Sequence, residues 1–198
     1  MDHILGLFLN PEKEWGKIAS DSDSVIKHYY RFIILAAIIP VVAWYYGLTE
    51  VGWTLGDDHS LTLTTASAMQ IMVLFYISML IGVGFLGFMV QWMAKTYQAD
   101  KSSYSKGVAI AAYSCMPLFV SGIVGFYPIL WLDIVLVTAA ACYAVYLLYV
   151  GVPMVLDVPK ERGYLFASAM IAVGLVMTVT MMGATVILWQ LGAMPVFV

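Results

Sequence analysis

Apolar residues run along this chain in long unbroken stretches separated by short polar breaks. Five stretches stand out, at 30–48, 68–94, 107–126, 128–150 and 165–191. Each is close to or beyond the roughly 20 residues that carry an α-helix across about 30 Å of hydrocarbon at about 1.5 Å per residue. The third and fourth join into one run too long for a single crossing. Gly125-Phe126-Tyr127-Pro128 is the place to turn, because Pro128 cannot continue a preceding helix but can begin a new one. The runs lack the alternation that a lipid-facing β-strand requires, so a barrel is set aside. The pattern predicts an all-α membrane protein: a bundle of five transmembrane helices over residues 30–198, preceded by a more polar segment, 1–29.

Within that segment, Asn10-Pro11-Glu12 supplies a helix N-cap, a proline at the first helical position and an acidic first turn. Trp15 and Ile18, three residues apart, share one face. Residues 11–19 are therefore expected to form a short helix lying on the inner membrane surface. No cleavable signal is expected, since Met1-Asp2-His3 is not basic and residues 4–9 make too short an apolar core.

Composition and charge sharpen this picture. The chain is 63% hydrophobic and 11% charged, against about half and about a quarter in soluble domains, so lipid is its solvent. With five spans, the N-terminus and the even-numbered loops share one side. That side holds all nine basic residues, from Lys13 through Lys101 to Arg162. The opposite side holds Glu50, Asp57 and Asp58 and no basic residue. Basic residues stay in the cytoplasm, which predicts a cytoplasmic N-terminus and a periplasmic C-terminus. Tyr29, Tyr30, Trp92 and Tyr97 mark the inner boundary, and Trp44, Tyr45, Trp131 and Trp189 the outer one.

Candidate chemistry is sparse. Gly82-Val-Gly84-Phe-Leu-Gly87 matches the GxGxxG dinucleotide pattern, but glycines in mid-span cannot meet a pyrophosphate. Together with Ser78 they form instead a small-residue stripe for helix packing. Asp133 is an acidic residue inside a span, where a carboxyl is costly and defaults to a functional hypothesis. Its face continues through Val137, Ala140 and Ala144, which turns it toward the bundle. Ser121 on the third span and Trp189 on the last lie at a similar depth and can donate to it, making Asp133, Ser121 and Trp189 a candidate polar site. Pro40 and Pro117 are expected to kink the first and third spans, freeing the carbonyls of Ala36 and Tyr113. Asp57-Asp58-His59 is taken as a solvated turn and not as metal ligands, and Cys115 and Cys142 as buried thiols without a disulfide. His3, His28 and His59 all fall outside the spans, so no intramembrane Ser–His pair can form, and there is no HExxH or P-loop. No catalytic residue, metal or cofactor is assigned. The few basic residues flank lipid and mix with acids, which argues against a nucleic-acid partner.

Several stretches together resemble the Yip family, small five-span membrane proteins named for interaction with Ypt/Rab GTPases. They are Gly6-Leu-Phe, Asn10-Pro11 with Trp15, Gly52-Trp53-Thr-Leu-Gly56-Asp57, Leu74-Phe75-Tyr76, Pro117-Leu-Phe, Ser121-Gly122, Tyr127-Pro128 with Trp131-Leu132, and Tyr146-Leu-Leu-Tyr149. The resemblance implies five helices with a cytoplasmic N-terminus, in bacteria within the inner membrane, and carries over no catalytic residue. The expectation is a non-enzymatic polytopic protein that organises membrane or binds proteins or lipids, with a homo-oligomer left open. The rival expectation is a small-solute transporter or channel with Asp133 in an outward-facing cavity.

Overall fold

The computed structural model describes residues 3–20, 26–54 and 60–198. Two short helices come first, α1 (His3–Leu9) and α2 (Pro11–Ser20). The first span consists of α3 (Ile26–Ala36), α4 (Ile38–Tyr46) and a π-helical turn, Gly47–Val51. It breaks at Ala37, three residues before Pro40, whose ring nitrogen has no proton for the carbonyl of Ala36. The second span is α5 (Thr65–Met93), capped by the Thr64 hydroxyl accepting from the Ser67 N–H at 3.4 Å. The third joins α6 (Tyr104–Ser114), α7 (Met116–Ser121) and a 3-10 turn, Gly122–Phe126, with Pro117 in the first turn of α7. The fourth, α8 (Leu130–Leu156), starts two residues after Pro128 and ends at Asp157, whose left-handed backbone (φ 53°) turns the chain into α9 (Lys160–Leu188). A π-helical turn, Trp189–Ala193, closes the fifth span.

Among the described residues, five helices are long and apolar enough to cross a membrane. The fourth continues beyond 150 through the apolar residues 151–156, and the fifth begins before 165 because its polar first turn, Lys160-Glu-Arg-Gly163, extends the helix past the hydrocarbon. One end of the bundle carries Lys95, Lys101, Lys106, Lys160 and Arg162 and is called here the basic end. Lys and Arg are absent from the opposite end among the described residues. That opposite end has a small β element. Strands β1 (Trp53–Thr54) and β2 (Ser60–Leu61) pair antiparallel, and Leu63 bridges Phe197. The C-terminal residues are tied there by Thr64 N–H to Val196 O at 2.9 Å and Val198 N–H to Thr62 O at 2.8 Å.

The third span is the centre of the bundle: two-thirds of its most apolar window is buried, against none of the fifth span's. Its residues Gly107, Val108, Ala109, Ile110, Ala111 and Ala112 are small or compact and all buried. Helices in lipid gain nothing from hydrophobic exclusion and associate through close packing, which small residues permit. Gly107 lies so near α5 that a Cβ there would stand 2.3 Å from the Gly87 carbonyl oxygen. At the opposite end, a Cβ on Gly47 would meet the Gly125 carbonyl oxygen at 1.8 Å, and one on Gly122 would meet Pro40 at 2.4 Å. Large apolar residues such as Ile81, Ile134, Val135, Leu175 and Val179 face outward on α5, α8 and α9, a surface that only lipid can cover.

Candidate functional site

The short helix expected over 11–19 is present as α2, and its apolar face is docked on the bundle. Asn10 closes α1 with its N–H on the Gly6 carbonyl at 2.7 Å, and Pro11 begins α2. The chain doubles back there, so that a Cβ on Gly6 would stand 2.2 Å from Cγ of Glu14. Glu14 is buried in this hairpin and pairs with Lys17, whose head reaches outward. Trp15 and Ile18 are buried against protein and not against lipid. The Trp15 indole rests on Gly151 of α8, where a Cβ would lie 2.6 Å from the ring, and meets Tyr113 edge-on at 6.3 Å. The missing side chain at Gly151 makes the seat, and Trp15 follows it.

Helix α1 sits deeper still. The Tyr143 hydroxyl of α8 donates to the Leu7 carbonyl at 2.8 Å, and the Phe8 and Tyr143 rings stack at 5.4 Å, 5° from parallel. Leu7 is fully buried, while Leu5 and Leu9 are 73% and 84% exposed. Above this stack, between α7, the 3-10 turn and α8, runs a groove of about 380 Å³. Pro117, Val120, Ser121 and Val124 form one wall, Leu136, Ala139 and Ala140 the other, and Phe8 with Tyr143 the floor.

Asp133, Ser121 and Trp189 do not come together. Asp133 lies in the first turn of α8, 6% exposed, and neither carboxyl oxygen has a hydrogen-bond partner among the described residues. The Ser121 hydroxyl donates to the Leu118 carbonyl at 2.9 Å, the usual recourse of a serine in a helix without water. Trp189 is 41% exposed on the turn that ends the fifth span. The small-residue stripe also divides. Gly87 meets Val108, a Cβ on Gly82 would be 3.3 Å from the Met177 methyl, and Gly84 has nothing within 4 Å. Ser78 is half-buried. Positions 82 and 84 are 200° apart on a helix, at about 100° per residue, so one packed face cannot take both.

Among the described residues no three His, Cys, Asp or Glu side chains gather to hold a metal. Asp57, Asp58 and His59 lie outside the described residues. Cys115 and Cys142 are free thiols, half-buried and exposed. At the basic end Lys101 pairs with Asp157, joining the turn after α5 to the turn after α8. The hydrogen bond from Lys101 holds the Asp157 carboxyl below its ordinary 3.8, and the same bond raises Lys101 above 10.5. Both side chains are about two-thirds exposed, so water and salt screen the pair.

The sequence of helices, the central small-residue span and the N-terminal hairpin can be compared with known proteins. The Yip1 domain model matches residues 5–181, which takes in most of the hairpin, the first four spans and the larger part of the fifth. The chain belongs to the Yip1 domain family. It is similar to inner membrane protein YohC of Escherichia coli K12, at 38% identity over 192 residues, 97% of this chain and 98% of that protein. The same values hold for YohC of Escherichia coli O6:H1 strain CFT073. No solved structure gives a significant match. Family membership and the five apolar helices make this an integral inner-membrane protein.

The residues that sequence reasoning passed over are Phe8, Tyr143 and Gly151. A cue exists for the first two. Residues 4–9 are mostly apolar and too short for a signal core, which leaves them free to pack on the bundle. Tyr143 is a phenol in an alanine-rich mid-span, where its hydroxyl needs a partner.

Proposed function

We propose that this Yip1-family protein is a non-enzymatic organiser of the inner membrane that acts on lipid through its N-terminal hairpin, with the basic end in the cytoplasm. The observation that carries this reading is the seat of α1 on Tyr143. Tyr143 is midway along α8, thirteen residues from each end, about 20 Å of helix either way. Helix α1 then reaches toward the bilayer mid-plane from the cytoplasmic side, with Leu5 and Leu9 among acyl chains. A hairpin confined to one leaflet takes up area there and none in the other, so lipids around it must repack or the membrane must bend. The partition of all nine basic residues to one side supports the orientation. The absence of a catalytic constellation in the sequence supports a role without chemistry.

The test reconstitutes the full chain at rising density in vesicles imaged by electron microscopy. Its counterpart carries Leu5→Asp and Leu9→Asp, replacing leucines that touch no core. A carboxylate near the bilayer centre costs about 2.5–3.5 kcal/mol and would expel α1. The wild-type chain should remodel vesicles and the variant should leave them round; equal vesicle shapes would overturn the reading. Solute uptake by the same vesicles, lost in Asp133→Asn, would favour a transporter.

A further inference from the structure

We propose that the groove beside Tyr143 holds one acyl chain of a phospholipid from the leaflet opposite the hairpin. This goes beyond the reading above and borrows only its orientation, which makes that leaflet the outer one. The groove lies inside two spans, along Leu136 to Tyr143 of α8, about 10 Å of helix. Its mouth is continuous with Ile123, Val120 and Val137, which are exposed and face the bilayer. Hydrocarbon is therefore the medium at its entrance.

The wall decides what enters. Two side chains there carry hydroxyls, and both have already given their proton away, Ser121 to Leu118 O and Tyr143 to Leu7 O, so the wall offers no free hydrogen-bond donor. Water needs two to four polar partners to occupy a cavity, and a polar solute needs as many. Neither finds them. A volume of about 380 Å³ corresponds to on the order of a dozen units the size of a water molecule, at about 30 Å³ each, and a methylene is of similar bulk. A stretch of hydrocarbon chain fits, its terminal methyl end against the stacked rings of Phe8 and Tyr143. These rings also separate the groove from the leaflet occupied by α1, so the chain must come from the other side.

The experiment uses the full chain in vesicles doped with phosphatidylethanolamine spin-labelled near the chain end. Ala140→Phe fills the groove without displacing a packed neighbour. Val135→Phe, on the exposed face outside the groove, is the control. The wild type and Val135→Phe should show a strongly immobilised lipid of about one per protein in addition to the ordinary boundary shell, and Ala140→Phe should lose it. An immobilised fraction unchanged in Ala140→Phe would overturn the proposal. So would a change of oligomer size in Ala140→Phe with no change in lipid, which would mean a second copy covers the groove. The substitutions leave Leu5 and Leu9 untouched, so failure here leaves the vesicle-shape test standing, and the reverse is also true.

Discussion

Replacing glycines by alanine one at a time reads the packing of this bundle directly, because each added methyl meets a different obstacle. At Gly107 the new Cβ would stand 2.3 Å from the Gly87 carbonyl oxygen, and at Gly87 it would stand 3.0 Å from the Val108 Cα. Val108 Cγ2, at 2.8 Å from a Cβ at the Gly87 position, could swing aside, but these backbone atoms cannot. Helices α5 and α6 would have to part by about 1 Å to restore ordinary contact. On the order of 40 atom pairs across the interface would then lose about half of a well of ~0.15 kcal/mol, about 3 kcal/mol in sum. Alanine returns up to about 1 kcal/mol of helix propensity, leaving Gly107→Ala destabilised by about 2 kcal/mol. Gly84→Ala meets nothing within 4 Å and should be neutral or stabilising by up to about 1 kcal/mol. Equilibrium unfolding of both variants in lipid–detergent micelles, followed by helical circular dichroism, measures the difference. Equal midpoints for the two, or a more damaging Gly84→Ala, would show that close approach between α5 and α6 does not hold the bundle.

Introduced cysteines at Ser60 and Ser102 should report opposite sides in intact spheroplasts, with an impermeant thiol reagent reaching the first alone; labelling of both by that reagent would refute the orientation. Asp133→Leu removes a buried carboxyl that has no partner among the described residues, so it should be neutral or raise the unfolding free energy by about 1–3 kcal/mol, and a clear loss of stability would reveal a partner. For Lys101 and Asp157 the sign follows from the two shifts. The Asp157 carboxyl is lowered, so its share of stability is present above pH 3.8 and is lost as pH falls through the lowered value. Lys101 is raised, so its share is present below pH 10.5 and is lost above it. Thermal midpoints of wild type and Lys101→Ala should therefore differ slightly at pH 7 in low salt, converge in strong acid, and converge again when salt screens the exposed pair. A gap that persists in acid would mean that Lys101 acts through packing and not through charge.

The five crossings were legible because lipid demands long apolar helices and nothing else in the chain imitates them. The break at Tyr127-Pro128 was legible for a related reason, since proline restricts both its own backbone and its neighbour's. What escaped the sequence is where each helix turns its face. In water an apolar stripe points to the core, but in lipid the outside is as apolar as the inside. Gly84 and Gly87 therefore look alike in the sequence, and only the approach of Gly107 separates them. The same ambiguity hid the docking of α2 on the bundle. Trp15 and Ile18 mark an apolar face equally well for a helix lying on a membrane and for one docked on a bundle, and the empty space over Gly151 decides between them. Asp133, Ser121 and Trp189 were grouped by depth alone, which says nothing of direction around a helix.

The polar groups in the spans argue most strongly about function. A pathway for a solute or ion needs donors and acceptors that are free, that face one cavity and that succeed one another across the membrane. Here five hydroxyls turn inward on their own helices, while the buried Ser114 hydroxyl has no partner among the described residues. Thr49 bonds the carbonyl of Tyr45, Ser168 that of Tyr164, Thr178 that of Gly174, Thr180 that of Val176 and Thr185 that of Met181, at 2.8–2.9 Å. Ser121 and Tyr143, the hydroxyls nearest a cavity, are held in the same way. Asp133 keeps unpartnered oxygens, yet the groove is walled by Leu136 and Ala140 and does not include it. Large apolar side chains cover the outer faces of α5, α8 and α9, and with the hairpin and the apolar groove they are the surfaces on which the proposed action on lipid rests.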